Sequence, residues 1–180
     1  MKTKDMIISG IFAAILCLFS VITIPINSIP ITLSIFAVFF ISVISGLRKS
    51  LFTVMIYILC GSIGIPVFSG FRGGISILFG PTGGYIIGYL VIAAIVGFCS
   101  EKTKKESVIK RFLYLLFFSL VAMILFYIPG TLQFSLITNL NFTESLLICV
   151  YPFILFDIIK MIIAILLAEN ARKHLKHIDI

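Results

Sequence analysis

The sequence predicts an all-α integral membrane protein. It reads as a single domain over residues 1–180, a six-helix bundle with both termini cytoplasmic and a glycine-rich outer loop between helices 3 and 4. Three observations carry this. Of the 180 residues 61% are apolar and 12% charged, with a mean hydropathy of +1.24, far outside the range of soluble domains. The apolar residues collect into six segments. Twelve of the 14 Lys and Arg fall on one side of a six-helix arrangement, which the positive-inside rule assigns to the cytoplasm.

The elements follow in order. Helix 1 covers about Met6 to Ile24. Lys2 and Lys4 ahead of it mimic a signal peptide, but no small-x-small cleavage site precedes Pro25, so it reads as a retained helix. The outer connection 25–31 carries Pro25, Asn27 and Pro30 and is apolar enough to fold back over the bundle mouth, as a lid or as a plain connector. Helices 2 (Thr32–Ser45) and 3 (Leu51–Gly64) are short for a span of about 20 residues, with Arg48 and Lys49 between them. The connection 65–81 faces outward. Helix 4 covers Thr82–Cys99 and Thr82 is its expected N-cap; Lys102, Lys104, Lys105, Lys110 and Arg111 follow. Helix 5 covers Phe112–Ile128, and the outer connection 129–144 ends at Thr143, an expected N-cap within the triplet Asn141-Phe142-Thr143. Helix 6 covers Ser145–Ala168, kinked or restarted at Pro152, ahead of the basic tail with Arg172, Lys173 and Lys176.

The charge count isolates two exceptions, Arg72 and Lys160. Lys160 follows Asp157 by three residues, so the two share a helix face. Charges at that depth point to a bundle interior or a wet cavity. Two readings remain open: a mutual ion pair that locks helix 6, or a polar pocket floor in which Lys160 meets an acceptor and Asp157 meets N–H donors. Arg72 stands in the stretch 66–89, dense in glycine; it is either a solvated loop charge or a gate on a pocket wall. Gly80, Gly84 and Gly88 recur every four residues, a spacing that suits close helix packing. Ser9/Ala13 and Gly10/Ala14 form a double small-xxx-small pattern in helix 1, suited to packing inside the bundle or against another subunit.

Absences narrow the function. Cys17, Cys60, Cys99 and Cys149 lie far apart in apolar segments and form no metal motif, and His174 and His177 sit in the basic tail. No phosphate-binding GxxxxGK[ST], HExxH or GxSxG occurs. The net charge of +7 lies in connections, so nucleic acid is not expected. The polar inventory suits a binding site, not an enzyme, with no cofactor.

The chain resembles the BioY family of biotin-binding S components of energy-coupling-factor vitamin transporters. The resemblance rests on GIFAAI, IPITL, YILCGSIGIPVFSG, LFGPTGGYIIGY and YPFILFDIIK. It implies a six-helix bundle in a prokaryotic plasma membrane with an occluded vitamin site near the outer face. On that resemblance the substrate-binding residues are Asp157, Lys160, Tyr85, Tyr151, Thr82, Phe71, Arg72, Gly73 and Gly74. Ser9, Gly10, Ala13 and Ala14 become the docking surface for a transmembrane coupling subunit, which two cytoplasmic ATPases drive. A stand-alone biotin carrier, a membrane scaffold and an S component for another vitamin are the alternatives.

Overall fold

A computed structural model describes residues 3–24 and 31–175, with side chains to residue 172. The described elements are α1 (Thr3–Val21), β1 (Thr23–Ile24), β2 (Ile31–Thr32), α2 (Ser34–Ser62), α3 (Ile75–Leu78), α4 (Gly83–Lys102), α5 (Val108–Thr138), α6 (Phe142–Cys149) and α7 (Ile154–Leu175). Four of these helices are long and apolar enough to cross a membrane, and α6 with α7 forms a further, bent candidate. The expected lid with Pro25, Asn27 and Pro30 lies outside the described residues. Its base is the antiparallel pair β1–β2, Thr23 opposite Thr32 and Ile24 opposite Ile31. These residues therefore belong to strands, not to the ends of helices 1 and 2.

Helix α2 is two arms, 34–45 and 47–62, joined at Gly46, where φ is 76° and ψ −177°. Only glycine adopts that conformation readily. A straight helix would hold Ser34 and Tyr57 about 35 Å apart. Yet Tyr89 bonds the Ser34 hydroxyl and sets its ring 6.3 Å from that of Tyr57, so the chain doubles back. The turn takes one residue, shorter than the expected connection, and Arg48 and Lys49 already lie in the second arm. The Glu101 carboxylate accepts the Leu47 N–H at 3.0 Å, capping that arm from another helix.

Both arms pack on α4, which packs in turn on α5, while α1 and α7 flank α2. Glycines set the α4–α5 approach. A Cβ on Gly84 would lie 2.2 Å from the Pro129 carbonyl oxygen, and one on Gly88 would lie 2.8 Å from the Phe126 ring. Gly80 stands apart, in the turn before α4.

Helix α5 runs ten residues beyond its expected end, through Pro129 to Thr138. Proline removes one backbone donor, but Gly130, Thr131 and Phe134 beyond it are buried, and their packing carries the helix on. It stops at Asn139, which takes the left-handed conformation (φ 56°). The following N-cap is Asn141, not Thr143, with Glu144 accepting the Asn141 N–H at 3.2 Å. The last span breaks between Cys149 and Ile154 with a 55° bend, as Pro152 leads one to expect.

The two ends of the bundle differ chemically. At one end Lys49 pairs with Asp5 at 3.4 Å and Glu101 caps Leu47. There Arg111, counted from sequence among the loop cations, is instead 2% exposed. Its guanidinium donates to Glu169 at 2.7 Å, to the Ser100 carbonyl at 2.8 Å and to the Ser100 hydroxyl at 2.9 Å. Along α4, Ser100 is 15 residues from Tyr85, about 22 Å at 1.5 Å per residue. The cavity described next opens around Tyr85, at the opposite end.

Candidate functional site

The connection after α2 is held by insertion of one ring. Phe68 is buried against Tyr57, ring centroids 5.4 Å apart. It lies so close to Gly61 that a Cβ there would come within 2.1 Å of the ring. Phe68 and Arg72 exchange backbone bonds of 2.9 and 3.3 Å, closing a small hairpin whose turn uses Gly70 (φ 74°) and Phe71 (φ 56°). Gly74 (φ 107°) donates its N–H to the Gly61 carbonyl at 2.7 Å. A Cβ on Gly73 would lie 2.5 Å from the Ile65 carbonyl oxygen. These two glycines fold the connection onto α2 and do not line the cavity. Farther on, the Gln133 amide donates to the carbonyls of Leu78 and Gly80 at 2.7 and 2.8 Å, tying the connection to α5.

Between this connection, β2, α2, α4, α5 and α7 lies an open-mouthed cavity. Four tyrosines line it: Tyr57 from α2, Tyr85 and Tyr89 from α4, and Tyr127 from α5. Phe68, Phe126 and Phe153 add apolar walls, and the Tyr89 ring stacks on Phe126 at 5.6 Å. A tyrosine buried in an apolar span needs a partner for its hydroxyl, and each has one. Tyr57 pairs with Ser20 (2.6 Å), Tyr85 with Thr131 (3.2 Å) and Tyr89 with Ser34 (2.5 Å), while Tyr127 donates to Asp157 (2.7 Å).

Asp157 and Lys160 both line this cavity. They are paired with each other, but not sealed off. Lys160 Nζ donates to Asp157 Oδ1 at 2.9 Å and to the Thr32 carbonyl at 2.9 Å. Asp157 Oδ2 accepts from Tyr127. A carboxylate oxygen accepts two hydrogen bonds and an ammonium donates three, so with the partners among the described residues each Asp157 oxygen keeps one acceptor position and Lys160 keeps one donor. The group can meet two donors and one acceptor on a ligand. With Arg72 at the mouth, the charged lining residues are one carboxylate and two cations, a net charge of +1 that favours a monoanion.

Of the substrate residues expected from sequence, Asp157, Lys160, Tyr85, Thr82 and Arg72 meet in the lining. Thr82 is the N-cap of α4, but its hydroxyl makes no capping bond. Tyr151 and Phe71 do not join them. Tyr151 stands 76% exposed at the break before α7, and Phe71 is 71% exposed at the tip of the hairpin turn. Sequence reasoning missed Tyr57, Tyr89 and Tyr127. Tyrosine deep in an apolar segment is the signal that would have raised them, although Tyr114 carries the same signal and lies exposed. The helix 1 pattern divides. Ser9 and Ala13 are buried, and the Ser9 carbonyl accepts from Thr53 at 3.3 Å. Gly10 and Ala14 turn outward, and a Cβ on Gly10 would meet nothing within 4 Å.

Comparison with known proteins agrees with this architecture. A family model described as the BioY family matches residues 1–177. "Biotin transporter BioY" of Thermotoga maritima is 32% identical over 170 residues, covering 94% of this chain and 96% of that one. "Biotin transporter BioY2" of Lactococcus lactis subsp. cremoris is 31% identical over 176 residues, covering 98% and 94%. Among solved structures, the crystal structure at 2.1 Å of the S-component for biotin from an ECF-type ABC transporter superposes with a TM-score of 0.83 at 26% identity, covering 96% of this chain and 95% of that one. On the family match, which spans nearly the whole chain, this protein belongs to the BioY family.

Proposed function

We propose that this chain is the biotin-binding membrane subunit of a transporter. It captures biotin from outside and delivers it inward when docked on a coupling subunit driven by two cytoplasmic ATPases. The observation that carries the reading is the hydrogen-bonding capacity left at Asp157 and Lys160. The ureido ring of biotin presents two N–H donors and one C=O acceptor, and the two acceptor positions and one donor left at this pair match it in number. The ring then sits among the tyrosines and phenylalanines, and the acid tail points to Arg72. The subunit hydrolyses nothing in this scheme.

The chain crosses the plasma membrane six times, the two arms of α2 counting separately because of the reversal at Gly46. Both termini are cytoplasmic, since the end of the bundle with Lys49 and Arg111 carries the basic connections. The cavity then faces outside. Docking uses the outward half of the helix 1 pattern, Gly10 and Ala14, where small side chains allow a partner helix to approach closely.

Two measurements test the reading. Purified protein titrated with biotin should saturate at one ligand per chain and resist competition by thiamine or riboflavin; no saturable binding sinks it. Uptake in a host lacking biotin transport should require the coupling subunit and ATPases. Uptake without them would identify a solitary carrier.

A further inference from the structure

Near Arg72 the lining holds a group that neither the fold nor the ion pair employs. Ser69 lines the cavity, and its hydroxyl oxygen is buried with no hydrogen-bond partner among the described residues. A buried hydroxyl without a partner costs roughly 1–3 kcal/mol, so its retention calls for an explanation. Every other Ser, Thr and Tyr of the lining except Thr82 is already bonded to protein: Ser20, Thr32, Ser34, Tyr57, Tyr85, Tyr89 and Tyr127. Arg72 stands three residues on, across the hairpin turn, and its Nε donates to the Ser69 carbonyl at 3.1 Å. That bond curls the guanidinium back over the turn and uses one of its five donors. No carboxylate among the described residues pairs with it. The Phe68–Arg72 backbone bonds and the Phe68 ring seated on Gly61 fix Ser69 and Arg72 on one short, anchored turn.

We propose that Ser69 is a specificity-determining residue: with Arg72 it forms an anion-recognition pair that reads the acid end of the ligand. The argument is one of charge and capacity. Asp157 and Lys160 neutralise each other at 2.9 Å, and a ligand carboxylate placed there would face the Asp157 carboxylate. The Ser69–Arg72 turn offers a donor hydroxyl and a cation that no carboxylate among the described residues compensates. A carboxylate accepts both, whereas a neutral tail gains little from either. The inference rests on the biotin reading above and adds to it the element that separates a free acid from its neutral derivatives.

The test compares biotin with biotin methyl ester on the full-length purified protein, as wild type, Ser69→Ala, Ser69→Thr and Arg72→Gln. Ser69→Ala should weaken biotin about tenfold while changing ester affinity by no more than about threefold. Ser69→Thr, which keeps the hydroxyl, should restore most of the preference for the acid. Arg72→Gln should erase that preference further. Thermal unfolding without ligand should leave Ser69→Thr and Arg72→Gln close to wild type and Ser69→Ala at least as stable as wild type. Unchanged biotin affinity in Ser69→Ala would mean that water satisfies the hydroxyl, and equal losses for acid and ester would mean a packing role; either overturns the proposal. A wild type that binds neither ligand refutes the biotin reading itself.

Discussion

At the scale of single residues, the buried charges show two uses of the same physics. Asp157 and Lys160 leave hydrogen-bonding positions open toward a cavity. Arg111 instead spends its donors on Glu169, Ser100 and Thr103. The first arrangement has the open capacity a site needs, and the second is a strut. On the biotin reading, Asp157→Ala and Lys160→Ala should each lower biotin affinity at least tenfold, since a hydrogen bond to a charged group contributes about 1.5–3 kcal/mol; isothermal titration measures it. Tyr127→Phe should lower affinity by roughly tenfold on the same grounds, because Asp157 Oδ2 loses its only donor among the described residues. Unchanged affinity in Tyr127→Phe would show that Lys160 alone orients the carboxylate. Arg111→Ala takes from Glu169 its 2.7 Å partner, leaving Arg172 at 3.9 Å, and removes the donors to Ser100; it should cost about 1–3 kcal/mol of stability, visible as a lower Tm, with biotin affinity retained in the folded fraction.

At the scale of elements, glycines decide how closely helices and loops approach. Gly84 admits the Pro129 carbonyl to within 2.2 Å of where a Cβ would stand. The neighbour there is backbone, so it cannot swing aside. Gly84→Val should therefore spread α4 from α5 and destabilise the fold by at least the roughly 1–3 kcal/mol typical of overpacking, measurable by thermal unfolding in detergent. Gly61→Ala acts differently. Its methyl group would displace the Phe68 ring, and with it the turn that carries Ser69 and Arg72. Ligand affinity should fall more than stability does. A Gly61→Ala protein that binds as tightly as wild type would show that the turn tolerates the shift. These elements were only partly legible beforehand. The break at Pro152 followed from the sequence. The continuation of α5 through Pro129 did not, because the packing of Gly130, Thr131 and Phe134 outweighs the lost donor, and that packing is tertiary.

At the scale of the whole molecule, α1 presents opposite faces to the bundle and to its surroundings. Ala13→Leu, directed into the core, should lower thermal stability. On the proposed docking through this helix, Gly10→Leu combined with Ala14→Leu, directed outward, should leave folding and biotin binding intact while abolishing uptake in cells that contain the coupling subunit and ATPases. Uptake at the wild-type rate in that double variant would move the docking surface elsewhere.

The sequence by itself determined the membrane class, the approximate helical segments and the gathering of basic residues at alternate connections. These depend on the transfer energies of each segment, which are local sums over its own residues. It also determined that Asp157 and Lys160 share a face, because three residues are nearly one turn. Only the tertiary structure decided that Tyr57, Tyr89 and Tyr127 converge on one cavity while Tyr151 faces outward, that Arg111 turns in, and that Ser9 and Ala13 rather than Gly10 and Ala14 pack inside. The reason is a lack of contrast. In a soluble helix the polar face marks the outside, but here bundle interior and lipid are equally apolar, so composition leaves each helix free to rotate about its axis. Contacts such as Gly84 on Pro129 and Phe68 on Gly61 remove that freedom, and they exist only once the helices have met.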